Sequence, residues 1–133
     1  MEAVYILQSG QKLNKSKFCR YLYRKFEKTS KNLGIKFKLE EKNKIYCLDD
    51  AAIDIIYGLM TGKKARIKKS PFIFCLRKEL ELYGKIKGIN FKFIEYKGLK
   101  LKIKEMLDLL EEKHKEIKYS IYQASIKVYQ KKH

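Results

Sequence analysis

Residues 45–52 read Ile45-Tyr46-Cys47-Leu48-Asp49-Asp50-Ala51-Ala52, and the fold class turns on how the first four are taken. Four apolar residues in a row cannot alternate between a wet face and a dry one. The run therefore predicts a strand buried on both faces, as at the centre of a parallel sheet. Asp49 or Asp50 then stands where a helix N-cap belongs. Ala52, Ile55, Ile56 and Leu59 continue at helical spacing, and Gly62 lies just past the end. Downstream, Phe72-Ile73-Phe74-Cys75-Leu76 is a second buried-strand candidate after Ser70-Pro71.

The flanks extend the same alternation. Val4-Tyr5-Ile6-Leu7, followed by Gln8, predicts a short strand ended by Ser9-Gly10. A helix is expected over Lys15 to Leu33, carrying Phe18, Leu22 and Phe26 on one line, with Gly34 as the residue that closes it. Ile35, Phe37 and Leu39 alternate with Lys36 and Lys38, the period of a half-buried strand, before the polar turn from Glu40 to Lys44. A helix over Lys78 to Ile86, Gly88 and a strand over Ile89 to Phe93 follow. The last third reads as helical, with Ile103, Met106, Leu107 and Leu110 on one stripe and Ile117, Ile121, Ala124 and Val128 on another. This order predicts one three-layer α/β domain over residues 1–133, with a mainly parallel, Rossmann-like sheet and a helical C-terminal third.

Composition narrows the function. The 133 residues carry 32 Lys+Arg against 15 Asp+Glu, a formal charge of +17, yet 45% are hydrophobic and 13% aromatic. That apolar content excludes a disordered polycation, and the positive field favours a polyanionic partner, RNA before a membrane surface. No apolar run reaches the ~18 residues of a membrane span. Glu2 stands where a secretory signal needs a basic region. A cytoplasmic location is expected. Cys19, Cys47 and Cys75 are odd in number and widely separated, offering no disulfide framework and no zinc ribbon. His114 and His133 are isolated from other metal-ligating residues.

Two basic elements stand out as candidate RNA contacts. Lys17, Arg20, Arg24, Lys28 and Lys31 are spaced 3, 4, 4 and 3 residues apart, so they share one helix face with no acid among them, an ordinary solvated face being the competing reading. Lys63, Lys64, Arg66, Lys68 and Lys69 place five cations in seven residues. Tyr119, Tyr122 and Tyr129 are candidates for stacking on unpaired bases, with core packing as the competing role.

Residues 45–122 also resemble the C-terminal half of the PP-loop tRNA 2-thiolation enzymes of archaeal and eukaryotic-cytosolic type. Leu48-Asp49-Asp50-Ala51-Ala52 is similar to the family's L-D-D-x-A, and Lys68-Lys69-Ser70-Pro71-Phe72 to its basic loop and Pro-hydrophobic segment. Lys78-Glu79-Leu80-Glu81-Leu82-Tyr83 with Lys87-Gly88-Ile89-Asn90-Phe91 resembles E-K-E-V-x-L-Y-A-x-x-K-G-I-x-F. Glu111-Glu112-Lys113-His114 with Ile117-Lys118-Tyr119-Ser120-Ile121 resembles E-E-K-H-P-x-I-K-Y-S-I.

The resemblance implies a nucleotide site that this chain has lost. Against the family's S-G-G-x-D-S, only Ser9 and Gly10 remain, because Gln11, Leu13 and Asn14 occupy the other positions. Against G-H-x-L-D-D, Ile45 and Tyr46 leave only Asp49 and Asp50, whose competing reading is a plain helix cap. The family's C-x-x-C is missing, and Glu95-Tyr96-Lys97-Gly98 replaces its E-C-P-Y. Neither ATP, metal nor any other cofactor is expected. What the resemblance implies is a truncated, non-catalytic tRNA-binding partner of a thiolation enzyme. The alternative is a stand-alone RNA- or ribosome-binding protein, and a third is an enzyme completed across a dimer interface.

Overall fold

The computed structural model describes residues 2–7, 9–39 and 41–132, with side chains described through Val128. Gln8, Glu40 and His133 lie outside the described residues, as do the side chains of Tyr129 and Lys131.

Among the described residues helices dominate, and the three-layer parallel sheet is absent. The elements run β1 (Tyr5–Ile6), β2 (Lys12–Leu13), α1 (Lys15–Leu33), β3 (Lys44–Ile45), α2 (Leu48–Thr61), α3 (Arg77–Lys87), β4 (Lys92–Phe93), α4 (Gly98–Lys113) and α5 (Ile117–Lys132). The strands make two separate two-stranded ladders. β1 and β2 are antiparallel, with Tyr5 opposite Leu13, and β3 and β4 are parallel, with Lys44 opposite Lys92. The Rossmann-like expectation is therefore corrected to a mainly helical architecture with two minimal ladders.

The deciding run explains why. Tyr46 and Cys47 are buried, as a central strand would require, but the ladder ends at Ile45 and the helix begins at Leu48. Asp50, in the first turn, reaches back and accepts the Cys47 N–H at 2.7 Å, a capping-box bond that turns the chain into a helix. A short apolar run does not by itself distinguish a buried strand from a buried helix entry. Here the capping carboxylate decides. Phe72–Leu76 fails for a related reason. Ser70 Oγ accepts the Phe72 N–H at 3.1 Å, and the Ile73 and Cys75 N–H groups donate to Ser70 and Phe72 carbonyls. Those donors are used within consecutive turns and cannot serve a ladder. Ile35, Phe37 and Leu39 do alternate in burial with Lys36 and Lys38, but the segment joins no ladder among the described residues.

α1 has the boundaries that the sequence predicts. Asn14 caps it by accepting the Lys17 N–H at 2.9 Å, and Gly34 closes it at φ 67°. Its buried line meets α3 through an aromatic core centred on Phe26, whose ring lies 4.9 Å from Phe72 and 5.4 Å from Tyr83. α2 packs on α4 through Ala52, Ile53, Ile103 and Leu107, and Ile121 of α5 packs against the same cluster. Five residues expected on these apolar stripes are exposed: Leu59, Met106, Leu110, Ala124 and Val128. A third cluster, Tyr46, Ala51 and Ile73, is flanked by Leu33, Ile67 and Tyr122. Among the described residues no helix is long and apolar enough to cross a membrane.

Candidate nucleic-acid interface

At roughly 100° per residue, the five stripe cations of α1 fall within an arc of about 80°. The buried residues Phe18, Cys19, Leu22, Phe26, Thr29 and Ser30 centre on the opposite side. Lys17, Arg20, Arg24, Lys28 and Lys31 are all exposed. Among the described residues, none of the five has a carboxylate partner within 4.0 Å. The stripe is thus brought together as the spacing predicts, and it carries a positive charge unneutralised by close ion pairs.

The second basic element is an extended segment rather than part of a helix. Lys63, Lys64, Arg66, Lys68 and Lys69 are exposed, while Ala65 and Ile67 are half-buried between them. The segment folds back on α2, where a Cβ on Gly58 would sit 2.7 Å from the Lys63 carbonyl oxygen. Lys68 lies 5.8 Å from the centre of the Tyr46 ring. Ile67, between Arg66 and Lys68, packs against the same cluster as Leu33, two residues beyond Lys31. One hydrophobic cluster therefore anchors both the end of the stripe and the basic segment.

Two grooves flank α1. A groove of about 1000 Å³ runs along β1 and the middle of α1 to the α4–α5 turn, taking in Tyr21, Lys25, Lys28, Phe74 and Tyr119. A smaller one, about 610 Å³, takes in Lys15, Arg20, Arg24 and Lys87 with Tyr23 and Tyr83, and one acid, Glu27. The stripe forms the crest between them, since Lys28 borders the first and Arg20 and Arg24 the second. Lys25 escaped the sequence reading because it lies off the stripe. Burial opposes its charge, but nearby Glu79 and the Tyr21 hydroxyl outweigh that, and its pKa is raised. Tyr21 also lies beneath its ammonium, 4.8 Å from the ring centre.

The remnant nucleotide residues do not form a site. Ser9 and Gly10 make the turn of the β1–β2 hairpin, Gly10 at φ 90°, and the chain returns as β2 before any helix begins. A phosphate loop instead needs its turn to open directly into a helix N-terminus. Ser9 borders the larger groove, whereas Asp49 and Asp50 are buried elsewhere and line neither groove.

Both aspartates are committed to packing. Asp49 accepts the Arg77 N–H at 2.8 Å and the Lys118 ammonium at 2.7 Å. Lys118, only 3% exposed, also meets Asp108 at 2.7 Å and Glu111 at 3.5 Å. Asp50 accepts the Tyr96 hydroxyl in addition to the Cys47 N–H. Burial raises its pKa, opposed by those two hydrogen bonds. Asp54 receives the Tyr46 hydroxyl at 2.8 Å and Lys100 at 3.1 Å. These bonds tie the head of α2 to α3, α4 and α5.

The cysteines are core residues. Cys19, Cys47 and Cys75 are free and buried, and burial raises all three thiol pKa values. For Cys19, Lys87 opposes the rise without cancelling it. Cys47 caps α2 and Cys75 sits in the turn before α3, so neither lies in a strand. Among the described residues no group of three or more His, Cys, Asp or Glu is placed to hold a metal ion.

The candidate stacking tyrosines separate. Tyr119 is 42% exposed and borders the larger groove, whereas Tyr122 is half-buried against Phe74 and the Tyr46 cluster. No family model, curated protein or solved structure matches the chain.

Proposed function

We propose that this protein binds structured RNA through the crest of α1 and the basic segment 63–69. The observation that carries the reading is the acid-free stripe set opposite the buried face of α1. A helix face needs only scattered charge to stay hydrated. Five cations without ion-pair partners are instead suited to displacing counterions from a phosphate backbone. The three free cysteines fit a reducing compartment, and we place the protein in the cytoplasm. The sequence resemblance supports tRNA as the RNA and a thiolation enzyme as a partner. The parallel sheet implied by that resemblance is absent, so RNA binding stands as the function without a commitment to thiolation.

The test is a gel-shift titration of tRNA at several salt concentrations. If about six phosphates are contacted, affinity falls roughly 10³-fold between 50 and 200 mM salt. Arg20→Glu with Arg24→Glu weakens binding and flattens that slope. Lys102→Glu with Lys127→Glu makes the same change in net charge on exposed sites of α4 and α5, and has a smaller effect. Equal losses from the two pairs would mean that the charge acts diffusely and that the crest is not the interface. Recovery of a thiolation enzyme with the tagged protein from native extract would support the narrower partner reading.

A further inference from the structure

The larger groove differs from the rest of the basic surface because it joins lysines to an ordered aromatic ring. Tyr119 stands in the first turn of α5 with its ring edge-on to Phe74, centroids 6.3 Å apart. Its hydroxyl oxygen accepts a hydrogen bond from Gln123 Nε2 at 2.7 Å. Two contacts thus fix the ring while 42% of the residue stays open to solvent. Lys25 also borders the groove. Its ammonium, already engaged by the Tyr21 hydroxyl and by nearby Glu79, gives one weak hydrogen bond to the Phe74 carbonyl, 3.5 Å away. An ammonium has three donors to share. Lys28 belongs to both the groove lining and the stripe, so a strand lying along the crest has a continuous basic path into the groove. Five lysines and two glutamates line it. Of these, Glu79 is turned to the Leu76 N–H and Lys78 to Glu111. The cavity lies at the upper end of the usual range for ligand sites, about 300–1,000 Å³.

We propose that this groove receives an unpaired nucleotide of the bound RNA, its base stacked on Tyr119 and its phosphates held by Lys25 and Lys28. The inference rests on the RNA reading above and adds to it a preference for single-stranded or looped segments. Base faces are all π-surfaces, so a fixed tyrosine supplies affinity without demanding a sequence, and the lysines orient the backbone. A duplex keeps its bases stacked inside and presents only phosphates, so it gains nothing from Tyr119.

The experiment compares a short single-stranded oligoadenylate, a blunt RNA duplex, AMP and a poly-glutamate peptide, each titrated by fluorescence anisotropy or competition. Against the single strand, Tyr119→Ala weakens binding about 5- to 150-fold, the stacking contribution of one base. It leaves duplex binding and the salt slope of the duplex unchanged. Tyr119→Phe, which keeps the ring and loses only the hydroxyl, restores binding and guards against a folding artefact. AMP and poly-glutamate bind far more weakly than the oligomer. If Tyr119→Ala binds the single strand like wild type while Arg20→Glu/Arg24→Glu does not, the groove assignment fails and the RNA reading stands. If the wild-type protein binds neither RNA, both fail. Poly-glutamate or AMP matching the oligomer, with the same dependence on Tyr119, would assign the groove to another ligand and overturn the proposal.

Discussion

Lys118 is the residue on which the C-terminal helices are pinned, and nothing near it in sequence announces this. Asp49, which shares the shortest distance to it (2.7 Å) with Asp108, lies 69 residues upstream, so that contact is created by the fold rather than by any local pattern. Sequence reasoning identified Asp49 and Asp50 and weighed a plain helix cap against a nucleotide remnant. The cap reading comes nearer, because Asp50 closes the capping box and Asp49 holds Lys118. Removing one member of a buried pair leaves the other charge without its counterion, so Lys118→Met is expected to cost about 3–5 kcal/mol, read from urea unfolding. Burial opposes the charge on Lys118, yet Asp49, Asp108 and Glu111 raise its pKa. Its stabilisation is therefore complete below the ordinary lysine value of 10.5 and fades as pH climbs through the raised one. Asp108 has the opposite sign. Burial raises its pKa, but Lys118 and Lys104 outweigh this and bring it below 3.8, so its contribution is present above 3.8 and lost as acid titrates it. The raised pKa of Asp50 offsets part of that acid loss, since protonation favours its folded form. Wild-type stability should fall at alkaline pH more steeply than that of Lys118→Met, as measured by unfolding midpoints across pH.

At the scale of elements, what was legible was what local chemistry decides. α1 was bounded by its apolar spacing and Gly34, and Asn14 proves to be its cap. The same kind of signal gave α3 to within a residue at each end. The strands expected at 4–7 and 89–93 do contain β1 and β4. Those at 45–48 and 72–76 were misread because a run of apolar residues records burial and not hydrogen-bond partners. Tyr46, Cys47, Ile73 and Cys75 are all buried, as expected, but their surroundings are helices and turns. The stripe on α1 was readable from spacing alone, whereas Lys25 needed Phe74 and Glu79, both about fifty residues away, to become part of a groove. The close return of the chain after α3 is another long-range feature with a local test. A Cβ on Gly84 would lie 2.6 Å from the Ile89 carbonyl oxygen and 3.0 Å from the Phe91 ring. Alanine would normally stabilise a helix interior by up to about 1 kcal/mol relative to glycine. Here overpacking by about 1–3 kcal/mol reverses the sign. Gly84→Ala should lower the thermal midpoint, while Lys85→Ala, on the exposed neighbour, should leave it nearly unchanged.

For the whole molecule, one quantity acts on stability and binding in opposite directions. A formal charge of +17 on 133 residues makes the folded chain repel itself, because folding brings the charges closer together. Salt relieves that repulsion, so the free protein should melt at a higher temperature as ionic strength rises. If the protein binds RNA as proposed, the same salt weakens the release of counterions that drives the association. Bound RNA stabilises the fold by mass action, about 2.7 kcal/mol at a free concentration one hundred times the Kd, and this gain must shrink as the Kd rises with salt. The two effects make the melting curves of free and RNA-bound protein converge between low and high salt. Arg20→Glu with Arg24→Glu removes two charges at each position and takes +17 to +13. With less self-repulsion and an untouched buried face, the free variant should melt no lower than wild type at low salt. Under the proposed function it should nevertheless lose most of the shift expected from tRNA there. A variant that melted lower without RNA would show that the arginines hold the fold together. One that kept the full tRNA shift would show that the crest of α1 is not where the RNA binds.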